Sequence, residues 1–97
     1  MDELKATRTV EVTNSSGRHL RAATLIAERV RRSQSKVLVI KDFEQVDGTD
    51  VLQLASLGTR CGERLSLEAV GGDAEEVLDA LWQLFIDNFG EEQNDGE

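Results

Sequence analysis

Apolar and polar residues alternate over residues 7–13, with Val10 and Val12 on one face and Thr9, Glu11 and Thr13 on the other. A period of two predicts a half-buried strand. The cluster Asn14-Ser15-Ser16-Gly17 turns the chain. Over residues 20–32 the period changes. Ala22, Ala23, Ile26, Ala27 and Val30 recur at helical spacing and predict a helix with one buried stripe. Residues 33–35 break that pattern. Residues 36–41 form an apolar, β-branched run of strand length, and residues 44–47 fit a short edge strand before a turn at Gly48.

Residues 51–57 predict a short helix. Asp50 is placed as its N-cap, Gln53 follows in a capping-box arrangement, and Gly58 is placed as its stop. Leu54 and Leu57 read as core. Residues 64–70 alternate again with Leu65, Leu67 and Ala69 inward, and Gly71-Gly72 turns the chain. Asp73-Ala74-Glu75-Glu76 reads as a second capping box. It opens a helix whose stripe is Val77, Leu78, Leu81, Phe85 and Phe89, with Trp82 and Leu84 at its edges. Residues 91–97 contain no apolar side chain and read as a disordered acidic tail. The order β-α-β-β-α-β-α predicts an α+β two-layer sandwich, with helices on one face of a mainly antiparallel sheet. Residues 1–90 are expected to form a single domain.

Composition narrows the function classes. A chain of 97 residues with 39% hydrophobic content supports one core. It does not support a substrate pocket of about 300–1,000 Å³. The single cysteine, Cys61, cannot form an intrachain disulfide and fits a reducing cytosol. It follows Arg60 in a turn, with no neighbour to activate it. No secretory pattern opens the chain, and no run reaches the about 18 apolar residues of a membrane span. A cytoplasmic, monomeric protein without membrane association is expected. One histidine and one cysteine cannot supply the usual metal-ligand set, so no metal or cofactor is expected.

The net charge of −8 is unevenly spread. Residues 1–41 carry nine Lys or Arg against four Asp or Glu, whereas residues 42–97 carry two against fifteen. The acidic balance and the lack of interleaved aromatics argue against nucleic-acid binding through Arg29, Arg31 and Arg32.

The candidate chemistry centres on His19, the single histidine, at the turn-to-helix junction. First-turn N–H groups lack intrahelical partners and carry the positive end of the helix dipole. A phosphate on a histidine at that point would meet ready donors. Arg18 and Arg21 flank it and can add charge-assisted hydrogen bonds. Imidazole accepts and releases a phosphoryl group, and such transfer needs positioning more than a deep pocket. The local pattern also fits an ordinary surface histidine.

Gly17-Arg18-His19-Leu20-Arg21-Ala22-Ala23 resembles the Gly-apolar-His-Ala-Arg-Pro-Ala signature of the HPr phosphocarrier family. Ala55-Ser56-Leu57-Gly58 is similar to the Met-Ser-Leu-Gly that closes that family's second helix. The element order and chain length agree over roughly residues 6–90. The resemblance implies an open-faced sandwich of four antiparallel strands and three helices. It implies a stoichiometric carrier of the phosphoenolpyruvate:sugar phosphotransferase system rather than a turnover enzyme. His19 would accept phosphate from Enzyme I and donate it to a IIA-type protein. Arg21 stands with His19 as the catalytic pair, Arg18, Leu20 and Arg21 form the phosphate-binding set, and Val51, Leu52 and Ala55 form the partner-docking patch. Val51, Leu52 and Ala55 read equally as core at helical spacing.

Four positions depart from the family pattern. Ala22 replaces proline, Leu20 replaces alanine, and Arg18 replaces an apolar residue. Asp50 stands where many relatives carry a serine that a kinase phosphorylates, so it is a candidate regulatory residue as well as a helix cap; neighbouring Thr49 is an alternative phosphosite. These departures leave a second reading open: an HPr-fold regulatory module that docks a target protein and relays no phosphate to sugar uptake.

Overall fold

The computed structural model describes residues 4–12, 19–57 and 62–90, with His19 and Asn88 described by their backbone alone. The arginine at 18, the Gly58 stop, Cys61 and the tail at 91–97 lie outside these residues.

Four strands form one antiparallel sheet: β1 (Lys5–Glu11), β2 (Lys36–Lys41), β3 (Glu44–Asp47) and β4 (Arg64–Val70), in spatial order β1-β4-β2-β3. The register explains the two faces. Ala6, Ala69 and Val37 stand in one row, and Leu67, Val39 and Val46 in the next, all buried. Thr7, Glu68, Leu38 and Asp47 share a row on the opposite, more polar face. Three helices cover the apolar face: α1 (His19–Arg31), α2 (Val51–Ser56) and α3 (Ala74–Ile86). This is the expected α+β open-faced sandwich, in the expected order.

β1 begins at Lys5, two residues before the alternation that predicts it, because β4 is long enough to pair Lys5 with Val70 and Ala6 with Ala69. A two-residue turn, Asp42-Phe43, joins β2 to β3. Asp42 takes the left-handed conformation (φ 55) and Phe43 is fully exposed. Arg8 shares the inward side with Val10, at the sheet's edge. Its guanidinium pairs with Asp79 and lies 5.7 Å from the Trp82 ring centroid, so a charged side chain clamps α3 over β1.

The second expected capping box is not formed. Asp73 stands at the N-cap of α3 but makes no side-chain bond to the helix. Its carboxylate accepts from the Ser35 hydroxyl at 2.6 Å and from the Gln34 N–H at 3.0 Å, tying the α1–β2 connection to the start of α3. Gly71 allows this close approach, since a Cβ there would fall 2.5 Å from Ser35 Oγ. The Ser35 hydroxyl, and then the Gln34 N–H, hold the Asp73 carboxyl below its ordinary range.

Candidate phosphoryl-transfer site

His19 is the first residue of α1, a helix of thirteen residues. Helix placement follows from burial of Ala22, Ala23, Ile26, Ala27 and Val30 against the sheet and neighbouring helices. Ala22 is the fourth helical residue and is buried, so an alanine in place of proline keeps a packed first turn. Leu20 and Arg21 point outward, Leu20 at 60% exposure. With Thr24, Leu25 and Glu28 they line a shallow surface groove along α1. Thr24 donates its hydroxyl back to the Leu20 carbonyl at 2.8 Å. Among the described residues Arg21 has no hydrogen-bond or ion-pair partner.

α2 packs beside α1. The Asp50 carboxylate accepts from the Gln53 N–H at 3.1 Å, so the expected N-cap is present. Leu54 and Leu57 are buried, as the helical spacing predicts. Leu52 is 75% exposed, whereas Val51 and Ala55 are half-buried against the core. The exposed apolar surface of α2 is therefore chiefly Leu52. The approach to α2 is braced. Thr49 donates its N–H and hydroxyl to Asp47 at 2.8 and 2.6 Å, and Arg31 donates to the Thr49 carbonyl at 3.1 Å. The Thr49 hydroxyl, and then its N–H, lower the Asp47 carboxyl below its ordinary range.

Beneath the start of α1, an apolar void of about 30 Å³ lies between Val12, Ala22, Leu54, Phe85 and Phe89. That is about a tenth of the smallest ordinary ligand site. Among the described residues no cluster could hold a metal ion, and no helix is long and apolar enough to cross a membrane. The geometry places His19 at the first position of α1, with Arg21 exposed two residues further along the helix.

A family profile described as "PTS HPr component phosphorylation site" matches residues 6–87. The chain belongs to the HPr family of phosphotransferase-system phosphocarriers. It is 33% identical over 85 residues to phosphocarrier protein HPr of Treponema pallidum, covering 88% of this chain and 97% of that one. It is likewise 33% identical over 86 residues to phosphocarrier protein NPr of Escherichia coli K12, covering 88% and 96%. The crystal structure of HPr from Thermoanaerobacter tengcongensis superposes with a TM-score of 0.82 at 34% identity, covering 90% of this chain and 98% of that one.

Within this HPr-family chain, sequence reasoning identified the start of α1 and the Asp50 cap; of the expected patch Val51, Leu52 and Ala55, only Leu52 is well exposed. That reasoning missed two local features. One is the Arg8–Asp79–Trp82 clamp, hidden because a lone arginine in an alternating strand gives no sign of its partner. The other is the approach of Arg21 to the chain at Gly90, where a Cβ would lie 3.7 Å from an Arg21 Nη. The two lie 69 positions apart in the sequence, and no local signal links them.

Proposed function

We propose that His19 accepts a phosphoryl group from Enzyme I and passes it to a IIA-type acceptor. The observation that carries this reading is the position of the single histidine, which opens a long helix inside a stretch matching a phosphorylation-site profile. A neutral imidazole nitrogen attacks phosphorus, forming an N–P bond as the bond to the donor breaks; the donor keeps that electron pair. Arg21 and the first-turn N–H groups offset the charge of the three phosphoryl oxygens. Arg18 and Leu20 complete the phosphate-binding set in this reading. Leu52, with the edges of Val51 and Ala55, supplies the apolar contact for partners, which dock in turn as a weak relay requires. The carrier works in the cytoplasm as a monomer, its domain spanning residues 1–90.

The acceptor is the open part of this reading. Similarity to both an HPr and an NPr supports relay to phosphotransferase proteins as a class, with or without sugar uptake. Asp50 supports a regulatory refinement: it sets a permanent negative charge at the N-cap of α2, beside the proposed docking surface. We read it as a cap that also imitates a phosphorylated serine and slows exchange with Enzyme I. Asp50→Ser should then accelerate that exchange, and equal rates for the two proteins would remove the regulatory role.

Incubation with phosphoenolpyruvate and cognate Enzyme I tests the main reading. One acid-labile phosphoryl group should appear on the wild type and be lost in His19→Ala. No adduct on a protein whose circular dichroism is native would favour the docking module that relays no phosphate.

A further inference from the structure

β1 is an edge strand, paired with β4 on one side and, among the described residues, with no strand on the other. Its two rows of backbone groups can be told apart. Val12 donates its N–H to the Glu63 carbonyl at 2.8 Å and accepts from the Gly62 N–H at 2.7 Å; at the other end the Leu4 carbonyl accepts from the Gly71 N–H at 2.8 Å. The register between these ends is continuous. Antiparallel pairing alternates from residue to residue, so Ala6, Arg8 and Val10 turn their backbone groups to β4, while Lys5, Thr7, Thr9 and Glu11 turn theirs away. Those four residues are all exposed. Among the described residues nothing bonds to their outward N–H and C=O groups.

An open groove of about 400 Å³ runs beside this edge, between β1 and α3, with Val10, Trp82, Phe85 and Ile86 as its apolar wall. Trp82 is 38% and Ile86 58% exposed, so α3 leaves apolar surface uncovered where β1 leaves backbone groups unpaired. A free strand edge beside an apolar groove provides both parts of a strand-addition site. Main-chain bonds give affinity, and the groove selects alternate side chains of the added strand. α2 lies against β3, at the opposite edge of the sheet, so a segment docked on β1 leaves the proposed relay surface of α2 open.

We propose that β1 takes up an extended segment of another protein as an antiparallel fifth strand of the sheet. Strand pairing fixes the chemistry of that segment. Its residue opposite Val10 projects to the helix side, where an apolar side chain fills the groove under Trp82 and Ile86. Its residues opposite Lys5 and Glu11 project to the outer face. Charge complementarity there calls for a carboxylate against Lys5 and a Lys or Arg against Glu11, at opposite ends of the strand. A second copy of this chain suits the edge less well. The register that overlaps all seven residues of β1 sets Arg8 against Arg8 in a closely spaced pair, and like charges directly opposite oppose pairing. The inference does not depend on phosphate transfer by His19.

The test uses the full chain and a synthetic peptide with blocked ends, Lys-Leu-Thr-Val-Thr-Val-Glu, written to pair from Glu11 back to Lys5. Titration should shift the Thr7, Thr9 and Glu11 amide resonances and the Trp82 indole N–H, and leave the Leu52 amide in place. N-methylation of the peptide's two threonines removes donors aimed at β1. It should weaken binding about two- to twelve-fold for each donor lost, the scale of one hydrogen bond. Thr9→Pro removes an outward N–H that β4 does not use, and should weaken binding by a similar factor in a folded protein. Ile86→Ser, at an exposed position, tests the groove separately and should also weaken binding. Exchanging the peptide's terminal Lys and Glu should cost about two- to five-fold at low salt. No shift at millimolar peptide, or binding that N-methylation, Thr9→Pro and Ile86→Ser leave unchanged, would overturn the proposal. Shifts of the same amides on concentrating the chain alone would overturn it in favour of a second copy.

Discussion

The Asp73 carboxylate, which makes no bond to its own helix, fixes the corner where the α1–β2 connection meets α3. Its depressed pKa gives a pH signature. Stabilisation by a group whose folded pKa lies below its unfolded value is complete above the unfolded value, about 3.9, and disappears as pH falls through the folded one. Asp73→Ala should therefore lower the urea midpoint at pH 7. The gap to wild type should narrow steadily below about pH 4 as the wild type loses the same interaction. A gap that stays constant down to pH 2 would contradict this account. Asp50 makes a different prediction, because it does cap its helix. Asp50→Ala should cost about 0.5–2 kcal/mol in urea unfolding, whereas Asp50→Ser should fall close to wild type. Similar losses for both would show that charge rather than hydrogen bonding stabilises α2. The two aspartates look alike in sequence, each three residues before Gln or Glu. What separates them is the Ser35 hydroxyl and Gln34 N–H, brought to Asp73 from 38 and 39 residues away. Local pattern cannot register that competition.

Elements were legible wherever one face is buried. Leu65, Leu67 and Ala69 in β4, and Val77, Leu78, Leu81 and Phe85 in α3, follow the periods that predict them and are all buried. Boundaries were less legible, because partners rather than periodicity set them: β1 extends to Lys5 only because β4 continues to Val70. The attachment of α3 to the sheet's edge was not legible at all. Arg8 reaches from β1 to Asp79 and Trp82 of α3, all partly solvent-exposed. A double-mutant cycle on Arg8→Ala and Asp79→Ala should give a coupling of about 0.2–1 kcal/mol that declines with added salt. A coupling that ignores salt would shift the contribution from the ion pair to the packing of the arginine stem on Trp82.

At the scale of the whole molecule, the proposed site draws on the outer faces of α1 and α2 rather than on a cavity. Function should then separate cleanly from stability. Leu52→Ser removes an apolar side chain that is 75% exposed, so thermal unfolding should shift little. Its phosphotransfer from Enzyme I should slow, with the loss appearing as weaker partner binding. A large drop in melting temperature would return Leu52 to a structural role. The candidate site was legible as far as its residue types and helix position allow, since His19 and Arg21 sit two residues apart in one chain segment. The nearness of Gly90 was not, because it depends on where Phe89 inserts into the core.

The sheet order has a consequence for how the protein is made. β4 lies between β1 and β2, yet it is synthesised after both. A nascent chain that has emerged only as far as α2 holds β1 and the β2–β3 hairpin with no strand to join them. Neither can complete its backbone hydrogen bonding until residues 64–70 leave the ribosome. α1 likewise has no finished sheet to rest on, so the helix that begins at His19 waits for the same strand. Acquisition of native structure on the ribosome should therefore come late and abruptly, with β4 as its trigger, and arrested chains ending before residue 64 should stay open to proteases along their whole length.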